Sequence, residues 1–246
     1  MRQRTLIVVV GGVVFLGVGL ATLPASLLAS HLPSEVTAEG VSGSVWSGAA
    51  DVIRLRGQPL GAASWTAEPL ALLSGRLNYH VELERPDGFA RGRLGASLGG
   101  ALLGEDLEFD LPMSALGGGP SGSGWLGSVA AQLKTLRLEN GWPVALNGHV
   151  TVAKLQPPGA QVAIGSYAID FDPPGDSGDK LIGRVRDVDS PLLVRAQLVL
   201  KRDRTFSLEG DVTPRPGAPQ EVMQAVAFLG APDGMGRRQF VLGGSF

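Results

Sequence analysis

The sequence contains no cysteine, and this absence excludes several kinds of site at once. Without thiols the chain forms no disulfide, offers no thiolate ligand to a metal and performs no thiol chemistry. Burial and hydrogen bonding alone must therefore stabilise the fold.

An excess of basic residues is also missing, because 21 Lys and Arg stand against 23 Asp and Glu. A nucleic-acid surface needs clustered positive charge to neutralise phosphates, so we expect no nucleic-acid partner. The three histidines, His31, His80 and His149, are far apart in the sequence and are expected to be solvated side chains. We predict no metal and no cofactor.

Glycine and proline are abundant, with 36 and 17 residues, which indicates many turns and few long helices. One long apolar run, residues 6–29, nevertheless follows Arg2 and Arg4 and contains no charge. A helix needs roughly 20 apolar residues to cross a bilayer, and positive residues stay on the cytoplasmic side. We predict a cytoplasmic tail at residues 1–5 and a bacterial inner-membrane anchor at residues 6–29, with the rest of the chain in the periplasm.

Apolar side chains assigned to this anchor include Leu6, Val10, Phe15 and Leu20. A cleaved signal peptide is the alternative, because the run also has a short basic start and small residues near its end. Cleavage needs small residues at both recognition positions, and Leu stands two residues before both Ala25 and Ala29. The retained anchor is the favoured interpretation.

Beyond a linker at residues 30–42, apolar and polar residues alternate with period two, which is typical of strands buried on one face. Residues 76–98 predict one hairpin, and residues 194–208 predict another. The Asn140-Gly141 pair predicts a further hairpin turn. The segment around Trp46, flanked by Gly43 and Gly48, predicts a strand that another backbone approaches closely.

Helical spacing is limited to two places. Pro69 to Gly75 predicts a helical turn or two, and Val222, Ala225, Val226 and Leu229 predict one amphipathic helix on the sheet. The expected fold is mainly β, with the N-terminal transmembrane helix followed by a curved antiparallel sheet partly folded over itself and one or two short helices. A two-sheet sandwich is the alternative. Residues 43–246 form the periplasmic β-rich domain, and the Gly-rich segment 117–124 is a candidate boundary between two halves.

One string matches a catalytic motif. Gly95 to Gly99 has the spacing of a nucleophile elbow around Ser97, but that motif requires a strand that turns sharply into a helix. Here the residues continue an alternating strand, so we predict no catalytic residue and no enzyme activity.

The ordered Trp and Gly signatures resemble the type II secretion system protein N family. The resemblance covers nearly the whole chain and rests on residues in four stretches: Gly43, Trp46 and Gly48; Trp65 and Pro69; Gly141 and Trp142; and Gly236, Arg237 and Phe240. It implies a non-catalytic accessory component of the machine that exports folded proteins across the outer membrane. Its implied partners are the inner-membrane C, L and M components or the outer-membrane secretin.

A curved sheet beside an inner-membrane anchor also resembles AsmA-like envelope proteins. That resemblance implies a groove that holds lipid acyl chains, so lipid is a possible ligand. The two functions differ in whether the apolar face of the sheet is covered or open. The residues that decide this are Leu77, Tyr79, Val81, Leu83, Val194, Ala196, Leu198 and Leu200.

Overall fold

The computed structural model describes residues 22–30, 32, 34–97, 99–116, 124–172 and 180–245. Its strands form a single 14-stranded antiparallel sheet. Each strand pairs with the next along the chain, except that β1 and β2 both pair with β3. The strands are β1 (Val36–Glu39), β2 (Ser42–Gly43), β3 (Ser47–Leu55), β4 (Gln58–Ala67), β5 (Arg76–Arg85), β6 (Gly88–Ser97), β7 (Leu102–Pro112), β8 (Leu126–Glu139), β9 (Trp142–Gln156), β10 (Gly165–Phe171), β11 (Lys180–Asp189), β12 (Leu192–Lys201), β13 (Thr205–Pro214) and β14 (Arg238–Ser245).

Four short helices accompany the sheet in the described ranges: α1 (Ser26–Ser30), α2 (Gln220–Ala227) and the 3-10 helices Pro69–Ser74 and Met113–Leu116. The prediction of a mainly β fold built on one large antiparallel sheet is confirmed. The described strands belong to one sheet, which is not the arrangement of a two-sheet sandwich.

The predicted hairpins are present because their turn residues fit the backbone that tight turns require. Asn140 and Gly141 both have positive φ, 51° and 74°, as a two-residue type I′ turn needs. β5 pairs with β6 and β12 pairs with β13 along their lengths.

The sheet continues across the Gly-rich segment, of which residues 117–123 lie outside the described ranges. β7 and β8, on its two sides, pair directly from Leu102 opposite Leu138 to Pro112 opposite Ser128. The strands before and after the segment therefore belong to the same sheet.

The most buried apolar cluster lies where α2 packs on β12 and β13. Val222 and Val226 of the helix meet Leu192, Val194 and Val212 of the strands. The predicted amphipathic helix is therefore confirmed. Ala225 is exposed within it, and Leu229 is exposed because the helix ends at Ala227. Elsewhere the core is thin, and no large side chain of the described residues is fully buried.

The predicted anchor lies mostly outside the described ranges, which include only residues 22–29 of it. These do not form one helix, because Pro24 makes a bridge with Ser44 and α1 begins at Ser26. Among the helices of the described residues, none is both long and apolar enough to cross a membrane.

Candidate functional site

One face of the sheet is apolar across almost its whole width. Residues paired across an antiparallel ladder project to the same side, and the register aligns one uninterrupted row over 12 strands, from β3 to β14. We call it the apolar row: Ala50, Ala63, Leu83, Ala90, Phe109, Ala131, Val150, Ile169, Val185, Ala196, Gly210 and Phe240. No polar side chain interrupts it.

The apolar face is only partly covered. Of the eight residues that decide between core and groove, Val194 is buried and the other seven are half-buried. On the same face, Leu94 of β6 and Leu242 of β14 are 45% and 52% exposed. A closed core would leave such side chains inaccessible, so the described residues leave parts of this face uncovered.

Two of the described helices cover parts of the face. The 3-10 helix Met113–Leu116 contacts β4 as well as the adjacent β7 and β8, and it buries Ala115. α2 covers the cluster on β12 and β13. The covering elements therefore lie at separate places on the face and leave apolar surface between them.

The opposite face carries a complementary row of polar residues. Its members, here called the polar row, are Ser64, Glu82, Arg91, Glu108, Gln132, His149, Asp170, Arg184, Gln197 and Glu209. Opposite charges face each other, as in the 2.6 Å contact between Arg91 Nη2 and Glu108 Oε2. These side chains are at least one third exposed, so each such pair stabilises the fold by only about 0–1 kcal/mol.

A shallow depression of about 530 Å³ lies along the middle of the polar row. His149 lines it, with Nδ1 2.6 Å from Asp170 Oδ1 and Nε2 3.0 Å from the Thr151 hydroxyl. The hydrogen bond with His149 is the main reason that the pKa of Asp170 is held below its usual value. The structure thus corrects the expectation that His149 is simply solvated. His80 is mostly exposed but lies 2.5 Å from Glu68.

The Thr151, His149 and Asp170 side chains have the order of a hydroxyl, imidazole and carboxylate triad. Acyl transfer also needs amide donors aimed at the developing oxyanion. β9 is paired on both sides here, with Thr151 opposite Ala130 of β8 and Ala168 of β10. Its amides therefore belong to the ladder, and the cluster is a polar network within the sheet.

Ser97, the centre of the possible nucleophile elbow, has a structural role. Ser97 is the last residue of β6, and its hydroxyl accepts a hydrogen bond from the Ala101 amide at 3.2 Å across the turn that follows. No helix follows this strand within the described residues, because the chain continues into β7. The side chain does not have the surroundings of an activated nucleophile.

The first signature residues form one corner of the sheet. Trp46 lies in the turn before β3 rather than in a strand, and its carbonyl accepts a hydrogen bond from the Ala67 amide at 2.6 Å. The close approach expected at Gly48 is real, but its neighbour is Trp65. A Cβ at Gly48 would lie 2.5 Å from the Trp65 ring, and one at Gly43 would lie 2.5 Å from a carbonyl oxygen.

The Trp65 indole completes this corner by donating to the Ser44 carbonyl at 3.1 Å. Pro69 opens the 3-10 helix Pro69–Ser74, which Gly75 ends in the left-handed conformation. The predicted short helix is confirmed there. Gly141 completes the turn before β9, and Trp142, the first residue of that strand, is buried.

The last signature residues fix the start of β14. Gly236 has a φ of 77° in the turn before the strand. The Arg237 amide and guanidinium both donate to the Asp233 carboxylate, at 2.9 and 3.0 Å. These donors, with the Met235 amide, hold the pKa of Asp233 below its usual value. Phe240 packs against the cluster under α2.

The anchor residues Leu6, Val10, Phe15 and Leu20 lie outside the described ranges. No group of three or more metal-binding side chains occurs in the part of the chain that the structure describes.

The signature residues do not converge on one pocket, because they mark a corner, a hairpin turn and an edge. The two transverse rows were missed in the sequence, since their register follows from the pairing of whole strands.

Comparison with known proteins gives a consistent result. The model of the family described as "Type II secretion system (T2SS), protein N" matches residues 34–241. The chain is 28% identical to type II secretion system protein N of Aeromonas hydrophila over 96% of both chains, and 25% identical to that of Vibrio cholerae serotype O1 over 89% of both. No solved structure matches the chain significantly. The matches confirm the resemblance found in the ordered signatures.

Proposed function

Since this chain belongs to the type II secretion system protein N family, we propose that it is a non-catalytic accessory component of that machine, held in the inner membrane. The observation that carries the proposal is the family match over residues 34–241, which includes nearly the whole sheet. In this proposal residues 43–246 lie in the periplasm and support the export of folded exoproteins.

The charge-free run at residues 6–29 supports membrane attachment. Its part before the bridge at Pro24, residues 6–23, is within the range of lengths that cross a bilayer, and Arg2 and Arg4 favour a cytoplasmic N-terminus. Separation of membranes from periplasm tests this part of the proposal, because an anchored chain stays with the membranes after an alkaline wash. A chain that is released intact into the periplasm would contradict it.

The arrangement of the polar side chains supports interaction rather than catalysis. The Thr151, His149 and Asp170 cluster lacks free amides for an oxyanion, and Ser97 is used within a turn. Both faces of a wide sheet, by contrast, offer long surfaces to other proteins. The candidate partners are the inner-membrane C, L and M components and the secretin.

Capture of the tagged chain after mild cross-linking of whole cells tests these contacts. At native expression levels we expect enrichment of at least one of the C, L and M components or the secretin. An unrelated inner-membrane protein with the same tag is the control. If none of these subunits is enriched over that control, the proposed contacts are wrong.

A second function, lipid binding, is favoured by the partly open apolar face. The apolar row crosses 12 strands without a polar side chain, and Leu94 and Leu242 on that face are exposed. Acyl chains gain free energy when they leave water for such a surface. Mass spectrometry of the purified full-length chain tests this function. Phospholipid should be retained by the wild-type chain and lost in Leu94→Glu, and wild-type protein without lipid would exclude it.

A further inference from the structure

The two edges of the sheet are protected to different degrees. At the first edge, the segment before β1 covers β2. The Val45 amide donates to the Leu23 carbonyl at 2.9 Å, and the Ala25 amide donates to the Gly43 carbonyl at 3.2 Å. β1 is four residues long and ends at Glu39. Short length and charge are both features that discourage pairing with another chain.

The other edge, β14, lacks these protections. It is eight residues long, has no proline, and carries no charge after Arg238. Its backbone pairs with β13 on one side, and no other described segment pairs with it on the outer side. A long, uncharged and unpaired edge offers a template for one more strand.

Exposed apolar side chains surround this open edge. Val241 continues the polar row into β14, opposite Glu209, yet it is apolar and 71% exposed. Phe228, just beyond α2, and Met235, just before β14, are 90% and 76% exposed. The Arg238 guanidinium bonds to the Ala227 and Gly230 carbonyls and so joins these segments. Clustered exposed apolar residues mark interaction sites.

We propose that β14 is the interface at which a second copy of this chain joins the sheet, with the two β14 strands antiparallel and centred on Val241. In this register Val241 lies opposite the partner's Val241. Phe240 lies opposite the partner's Leu242, which extends the apolar face across both copies. Arg238 lies opposite the partner's Gly244, so the like charges of the two strands are kept apart.

The self-complementarity of β14 favours a second copy over a head-to-tail arrangement. Pairing β14 with β1 of another copy would match eight residues with four and leave half of the edge unpaired. Head-to-tail pairing would also need either a closed ring of several copies or an open series of chains, whereas two-fold pairing closes after two copies. The two-fold arrangement pairs seven of the eight residues of β14 with β14 of the second copy.

Cysteine cross-linking of the full chain tests the register, because the natural sequence has no cysteine. Val241→Cys should form a disulfide-linked dimer under mild oxidation, since directly opposed residues lie within disulfide reach. Gln239→Cys is the matched control on the same side of the same strand. Its two copies would be about 14 Å apart, at roughly 3.4 Å per residue, and should not link. Equal linking of both variants, or linking of neither, would overturn the proposal.

Mass measurement in detergent solution tests the interface independently. The wild-type chain should have twice the monomer mass of 25.5 kDa. Val241→Lys should reduce that mass to one chain, because two lysines would then face each other. Circular dichroism checks that this variant keeps its β-structure. A wild-type monomer at all concentrations, or a cross-link from Val241→Cys to a different protein in cells, would contradict a second copy as the occupant.

Discussion

Asp187 of β11 connects β12 and the segment that follows β13, near the most buried cluster. Its side chain is 7% exposed, accepts the Val194 amide at 2.9 Å, and pairs with the Arg215 guanidinium. Burial alone would raise the pKa of Asp187, but these donors outweigh it and hold the pKa below its usual value. Because the folded pKa lies below the unfolded value of about 3.9, the carboxylate stabilises the fold above that pH. This stabilisation is lost as the pH falls through the folded pKa.

We therefore expect Asp187→Ala to lower the free energy of unfolding by about 1–3 kcal/mol at pH 7, since the Val194 amide loses its acceptor. The difference from the wild-type chain should shrink as the pH falls below about 4. Urea unfolding at both pH values measures this. Asp189→Ala, an exposed neighbour, is the control and should have little effect. A loss that is independent of pH would contradict the role of the ionised carboxylate.

Gly48 is required because Trp65 and β2 occupy the space that a side chain would need. A Cβ there would lie 2.5 Å from the indole and 2.6 Å from the Ser42 carbonyl oxygen. We expect Gly48→Ala to lower the free energy of unfolding by about 1–3 kcal/mol, measured by chemical unfolding. Gly99→Ala is the control, because its Cβ would meet only a hydroxyl at 3.8 Å. Equal stability of the two variants would show that the corner is loosely packed.

Residue-scale prediction from the sequence found the right positions more often than the right contacts. The spacing of Gly43 and Gly48 indicated a close approach, but the sequence does not reveal that the approaching ring is Trp65, which comes from the next strand. His149 was expected to be a solvated side chain, because its partner Asp170 comes from a different strand, 21 residues later.

Among the elements, α2 provides the best-defined packing. Val222 and Val226 are buried against β12 and β13, whereas Met223 is half exposed. We expect Val222→Ala to lower the free energy of unfolding by about 2 kcal/mol, because two buried methyl groups are removed. Met223→Ala should cost much less. Thermal or urea unfolding of both variants measures this difference. Equal losses of stability would mean that α2 is not anchored through Val222.

Element-scale prediction succeeded where local patterns decide the structure. The hairpins at β5 and β6 and at β12 and β13 follow from alternation and turn residues. The bulge between β6 and β7 could not be found in this way. There Arg91 faces Glu108 but Arg93 faces Glu105, and Asp106 takes a φ of 49°. This bulge returns Gly104 and Leu102 to the apolar face, and it is visible only once both strands are paired.

At the scale of the whole molecule, consecutive pairing of short strands produces two long surfaces of opposite character. In each strand that both rows cross, the residue of the polar row is the sequence neighbour of the residue of the apolar row, so the two project to opposite faces. Alternation in each strand predicts that such faces exist. The apolar row is continuous over 12 strands and the polar row over ten, and this continuity depends on the register of all the pairs, including the bulges, which no single strand encodes. The family match, which covers residues 34–241 and so nearly all of this sheet, identifies the type II secretion system as the machine of the family.

The distribution of an exoprotein between periplasm and medium, in a strain that lacks this chain, tests the secretion role most directly. We expect exoproteins of this machine to reach the periplasm normally, to accumulate there, and to return to the medium when the wild-type chain is restored. Normal secretion in the deletion strain, together with an altered outer-membrane lipid composition, would contradict a role in secretion and favour the lipid-binding function.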